Sequence, residues 1–164
     1  MKTSSRKRKE RSCATRVQMP MLLLYAVSLV VTTVTMHAVG FSLLLRAIMR
    51  TQILSKRGFR CATGLLIALT CWLMLIHLAE AAVWGLFYVW QGWLPDLESS
   101  LYFSGVTYTT AGYGDIVLAK PWRMFALAEA FTGTLMCGLT TGLFFAVVSR
   151  WIKNWMERVS GPEI

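Results

Sequence analysis

Three stretches of this chain are almost free of charge, and each is longer than the core of a small soluble domain would need. Residues 17–45 hold no Asp, Glu, Lys or Arg, residues 61–95 hold only Glu80, and residues 124–149 hold only Glu129. About 20 apolar residues carry a helix across the hydrocarbon of a bilayer. Each stretch is therefore long enough to cross once with some tilt, and none is long enough to cross twice. The sequence predicts an all-α membrane protein with three transmembrane helices.

Charge placement fits that reading. The net charge of +9 would suggest nucleic acid in a soluble chain. Here the basic residues stand in blocks beside the apolar stretches. Lys2, Arg6, Lys7, Arg8, Lys9, Arg11 and Arg16 precede the first, Arg46, Arg50, Lys56, Arg57 and Arg60 follow it, and Arg150, Lys153 and Arg158 follow the third. Such blocks set topology and meet anionic lipid headgroups, so membrane lipids are the expected partners and nucleic acid is not. Cys13, Cys61, Cys71 and Cys137 show neither paired nor metal-like spacing, and in a span a thiol acts as a small apolar group. No catalytic constellation stands out, so no enzyme is expected.

The expected order is a basic, disordered tail (1–16), a first transmembrane helix (17–45), a basic cytoplasmic loop (46–60), a module over 61–150 and a short interfacial tail (151–164). Within the module an outer helix runs over 61–90 and an inner helix over 122–150. Between them the chain is too broken by glycine and proline to span, yet too apolar for a solvated loop. Residues 97–108 form a short helix there, with Asp96 as N-cap and Glu98 at the positive end of its dipole. Twelve residues rise only about 18 Å, roughly half the hydrocarbon thickness. The segment is re-entrant: it dips in, turns and returns as extended chain through residues 110–115.

Irregular backbone is tolerated at membrane depth only where protein buries it or where it lines an aqueous path. Carbonyl oxygens aimed at an axis can replace the hydration shell of K⁺. Aiming successive carbonyls one way needs alternate left-handed residues, which glycine adopts without steric cost. Gly112 and Gly114 stand at alternate positions, and the Thr110 hydroxyl adds a further ligand at the inner mouth. A chance Gly-Tyr-Gly turn in an outer loop would explain neither the half-helix nor the flanking spans.

The run Thr110-Ala111-Gly112-Tyr113-Gly114-Asp115, with its half-helix and two flanking spans, resembles the potassium-channel pore-domain family, whose pattern is Thr-Val-Gly-Tyr-Gly-Asp. The likeness covers residues 61–150. It implies that the carbonyls of Thr110, Ala111, Gly112 and Tyr113 coordinate K⁺ and that Asp115 attracts cations at the outer mouth. It also implies that the Tyr113 ring packs against Tyr102 and Phe103. One filter strand per chain implies a homotetramer, in the plasma membrane or a bacterial inner membrane, with K⁺ as permeant ion and no cofactor. Where the family has Val this chain has Ala111, which loosens packing behind the filter. Where some members carry a pore-helix carboxylate, this chain has Val106.

The resemblance makes Gly133 and Gly138 hinge candidates in the inner helix; close helix packing is the alternative for both and for Gly142. His77 and Glu80 share a face of the outer helix, and Glu129 lies two turns into the inner one. These three either respond to protons or brace the pore helix from behind. His37 has no visible partner in the sequence. No span has the regular basic spacing of a voltage sensor, and Trp151, Trp155 and Val159 suggest a surface helix in a tail too short for a ligand-binding domain. Family topology sets the filter outside, which would also place the basic N-terminus outside, against the positive-inside rule; translation starting at Met19 or Met21 would remove the conflict. The function implied is passive K⁺ conduction. The alternatives are a weakly selective cation channel, a transporter subunit, or a non-conducting membrane partner.

Overall fold

The computed structural model describes residues 2–51 and 59–159. Among the described residues there are four α-helices, α1 (Lys2–Thr51), α2 (Phe59–Trp90), α3 (Leu97–Tyr108) and α4 (Arg123–Val159), and a 3₁₀ turn, Lys120–Trp122, leads into α4. No strand occurs among the described residues. Met21–Arg50, Thr63–Trp90 and Lys120–Glu157 are long and apolar enough to cross a membrane. α3 has the limits that its capping residues predict.

Two boundaries differ from expectation. α1 begins at Lys2, so residues 2–16 continue the helix across Pro20 instead of forming a tail; Lys, Arg and Ala there are strong helix formers, and one proline removes one donor. α4 runs unbroken to Val159, so residues 151–159 are its last turns and not a separate surface helix. No Gly or Pro lies between Arg150 and Val159 to stop it. The middle of the basic loop, with Lys56 and Arg57, and residues 160–164 lie outside the described residues.

The helices meet in two chemically different zones. At one end, Trp84, Phe87, Tyr88, Leu94, Phe103, Leu118 and Phe125 form a mainly aromatic core with Leu29 of α1. Trp93 stacks on Trp122 at 4.4 Å and meets Phe125 edge-on at 4.7 Å. Each such pair adds roughly 0.5–1.5 kcal/mol beyond its buried area. At the far end the core is aliphatic: Ile48, Leu69, Leu73, Leu143 and Val147. α1 is also fixed by hydrogen bonds, as the Trp84 indole donates to Thr33 Oγ1 at 3.1 Å and the Trp72 indole to the Gly40 carbonyl at 3.1 Å.

α3 is held between two glycines. A Cβ built at Gly85 of α2 would meet the Leu101 Cα and the Ser100 carbonyl oxygen at 3.1 Å, and one at Gly133 of α4 would lie 2.1 Å from the Tyr108 carbonyl oxygen. Backbone contact this close leaves no side chain that could move aside. Gly133→Ala should therefore destabilise the fold by about 1–3 kcal/mol, the usual cost of overpacking. Gly64→Ala, where a Cβ meets nothing within 4 Å, should not. Thermal unfolding in detergent compares the two, and equal stability would mean that α3 and α4 do not touch there.

Candidate functional site

The short helix α3 packs against both α2 and α4. Asp96, extended at φ −151°, accepts from the Ser99 N–H at 2.8 Å and starts the helix. At the other end, carbonyls that find no water at membrane depth need other donors. The returning chain supplies them: Thr109 N–H donates to Gly105 O at 3.1 Å, Thr110 N–H to Thr107 O at 3.0 Å and Gly112 N–H to Val106 O at 3.3 Å. The Thr109 hydroxyl adds a second donor to Gly105 O at 2.7 Å.

Three alternate residues of the returning chain are left-handed: Thr110 (φ 59°), Gly112 (φ 56°) and Gly114 (φ 78°). The two glycines occupy the conformation their spacing predicts. Thr110 was not foreseen there, because a β-branched residue at positive φ costs about 1–3 kcal/mol. Its place explains it: Thr109 caps α3, and the next residue is where a left-handed turn commonly ends a helix. One residue thus closes the helix and opens the alternating strand. Within the chain, residues 109–115 are exposed along this strand.

The outer end is tied differently from expectation. The Tyr113 ring is 73% exposed, and among the described residues no aromatic ring pair joins it to Tyr102 or Phe103. The Tyr102 hydroxyl instead donates to Asp115 Oδ2 at 2.8 Å, a bond that holds the Asp115 carboxyl below the usual range. Phe103 meets Tyr88 edge-on at 5.4 Å. A cavity lined by Tyr102, Val106, Gly112 and Gly114 lies between α3 and the strand. Packing behind the strand is accordingly slack.

Behind α3 stand two carboxylates with no exposed surface, Glu80 and Glu129. Glu129 accepts from the Tyr88 hydroxyl at 2.7 Å and from the Ser104 hydroxyl, which also lies 2.6 Å from the Ala81 carbonyl. Glu80 accepts from the Tyr108 hydroxyl. His77 Nδ1 lies 3.1 Å from that hydroxyl and His77 Nε2 2.9 Å from Thr140 Oγ1 of α4. His37 does have a partner: its Nδ1 is 3.0 Å from Glu80 Oε1. Both carboxylates thus grip α3 from behind. A sequence signal existed in Ser100, Ser104 and Tyr108, polar at every fourth residue and so on one helix face.

Gly133 sits at the α3 contact described above, while a Cβ at Gly138 or Gly142 would meet nothing within 4 Å in the chain. Close packing therefore explains Gly133 within one chain but not the other two.

Residues 72–150 match a family model described as an ion channel. The chain is similar to the protein LctB of Bacillus caldotenax, 37% identical over 65 residues that are 40% of this chain and 43% of that protein. It is similar too to LctB of Geobacillus stearothermophilus, 46% identical over 43 residues, 26% of this chain and 32% of that one. The chain spans less than half the length of these curated relatives. No solved structure matches it.

The Tyr102–Asp115 bond has a pH signature. A carboxyl whose pKa is lowered by the fold stabilises it at neutral pH, and the effect is lost as the pH falls through that lowered value. Tyr102→Phe removes the donor, so Asp115 should take up its proton at a higher pH. Ion flux recorded against pH should begin to fall earlier on acidification in the variant than in the parent. Superimposable profiles would contradict the bond.

Proposed function

We propose that the chain, whose residues 72–150 match a family model described as an ion channel, conducts K⁺ passively through a pore built from four copies. The observation that carries this reading is the left-handed backbone at Thr110, Gly112 and Gly114, directly after a helix that stops halfway across the bilayer. In that alternation the carbonyls of Thr110, Ala111, Gly112 and Tyr113 serve as ligands in place of water, with Asp115 drawing cations to the mouth.

One strand cannot surround an ion, so the exposed strand calls for further copies about an axis. α4 carries a matching apolar stripe, with Phe131, Leu135 and Leu139 each 58% or more exposed and one turn apart. Neighbouring copies and lipid are the natural cover for it. By the same reading the protein resides in the cell membrane. Helices α1 and α2 lie outside the ring, with the α1–α2 loop in the cytoplasm.

A second reading, weakly selective cation conduction, is favoured by Ala111 and by the cavity behind the strand. Selectivity for K⁺ over Na⁺ draws on the field and stiffness of the carbonyl ring, and a small side chain stiffens it least. Flux from purified protein in liposomes, with K⁺ compared against Na⁺, separates the readings. K⁺ flux well above Na⁺ flux supports the first and equal fluxes the second. Absence of both removes the pore altogether.

Gly112→Ala should abolish the flux, since alanine at φ 56° costs roughly 1–2 kcal/mol in every copy; unchanged flux would remove the filter assignment. Ala111→Val should raise the K⁺ to Na⁺ ratio, and an unaltered ratio would dissociate selectivity from packing at that position.

A further inference from the structure

The chain has 2 histidines, and the fold brings both to one carboxylate. His37 comes from α1, His77 and Glu80 from α2, and each offers a ligand atom within 4.8 Å of the others. His37 Nδ1 is 3.0 Å from Glu80 Oε1, and His77 Nδ1 is 3.5 Å from Glu80 Oε2. Ligands held at about 2.0–2.2 Å around a tetrahedral cation stand roughly 3.3 Å apart. Each histidine Nδ1 already stands at about that spacing from an oxygen of Glu80.

Their surroundings point the same way. His77 keeps its second nitrogen on Thr140 Oγ1 at 2.9 Å, the kind of outer contact that fixes the tautomer and ring plane of a ligating imidazole. His37 is 3% exposed, and its Nε2 has no hydrogen-bond partner among the described residues. Its Nδ1, the atom that faces Glu80, is the one placed to ligate. Glu80 has no exposed surface, and among the described residues its ion-pair partners are these two histidines, with no Lys or Arg. The Tyr108 hydroxyl, bonded to Glu80 and 3.1 Å from His77 Nδ1, is a further oxygen donor within reach.

We propose that His37, His77 and Glu80 form a binding site for a divalent transition-metal cation of the Zn²⁺ class. Two imidazoles and a carboxylate are a donor set suited to Zn²⁺ and unsuited to K⁺, Mg²⁺ or Ca²⁺, which take oxygen. The side chain of His77, 20% exposed, is the point of entry. A cation bound here joins α1 to α2 and, through Glu80, holds Tyr108, two residues before the first filter carbonyl at Thr110. The site is separate from the ion path, so its occupancy tests independently of conduction.

The test uses the full chain, purified in detergent with any affinity tag removed. Titration with Co²⁺ should give the visible absorption of a tetrahedral ion, and Zn²⁺ should displace it. X-ray absorption at the zinc edge should then show two imidazoles and no sulfur. His37→Ala should weaken binding by at least about tenfold, with far-UV circular dichroism confirming that the helices persist, while Cys71→Ser and Cys137→Ser should leave it unchanged. No tetrahedral band, a shell with fewer than two imidazoles, a sulfur ligand, or undiminished affinity in folded His37→Ala would each overturn the proposal.

Discussion

A helix that stops in the middle of a bilayer has a problem that a spanning helix does not. Its last carbonyls have no further turn to bond to, and a backbone group left unpaired away from water costs several kcal/mol. Much of this structure answers that constraint. The chain leaving α3 turns back at Thr110 and returns its own N–H groups to Gly105, Thr107 and Val106. The turn that satisfies the helix is also the first left-handed residue of the alternating strand. Helix termination and strand geometry are one event, and Thr110 bears its strain because both depend on it.

The helix must also be kept from sliding. Two glycines let α2 and α4 reach its backbone, and the buried carboxylates hold its hydroxyls. Glu129 takes Ser104 and Glu80 takes Tyr108, so the grip falls on the last two turns, nearest the strand. Through His37 the additional helix α1 joins the same carboxylate. Together with the Trp84–Thr33 bond, this makes α1 part of the support and not a loose membrane anchor.

Elements defined by local chemistry were legible in the sequence. Asp96 announces the start of α3, charge-free runs announce the spans, and alternate glycines announce the strand. Features that depend on how one helix faces another were not. His37 and Glu80 lie 43 residues apart, and nothing local records the rotation that brings their faces together. Thr110 carries no sign of a left-handed backbone, since a β-branched residue argues against one. Gly133 could be read as flexible or as tightly packed from the sequence, and only the position of the Tyr108 carbonyl decides for packing. Tyr102 was expected to cushion a neighbouring ring, but a hydroxyl beside a carboxylate bonds to it instead. The helical extension through residues 2–16 shows composition misjudging a charged segment in which Lys, Arg, Glu and Ala favour helix.

The contrast between the two cores has a mechanical meaning. Near the strand, stacked tryptophans, buried carboxylates and directed hydrogen bonds resist any relative displacement of α2 and α4. Toward the opposite end the contact is aliphatic, held by Ile48, Leu69, Leu73, Leu143 and Val147, and such side chains slide past one another with little directional penalty. Gly138 and Gly142 sit along that softer length with open space around them. The bundle is thus fastened by directed contacts at one end and by non-directional ones at the other.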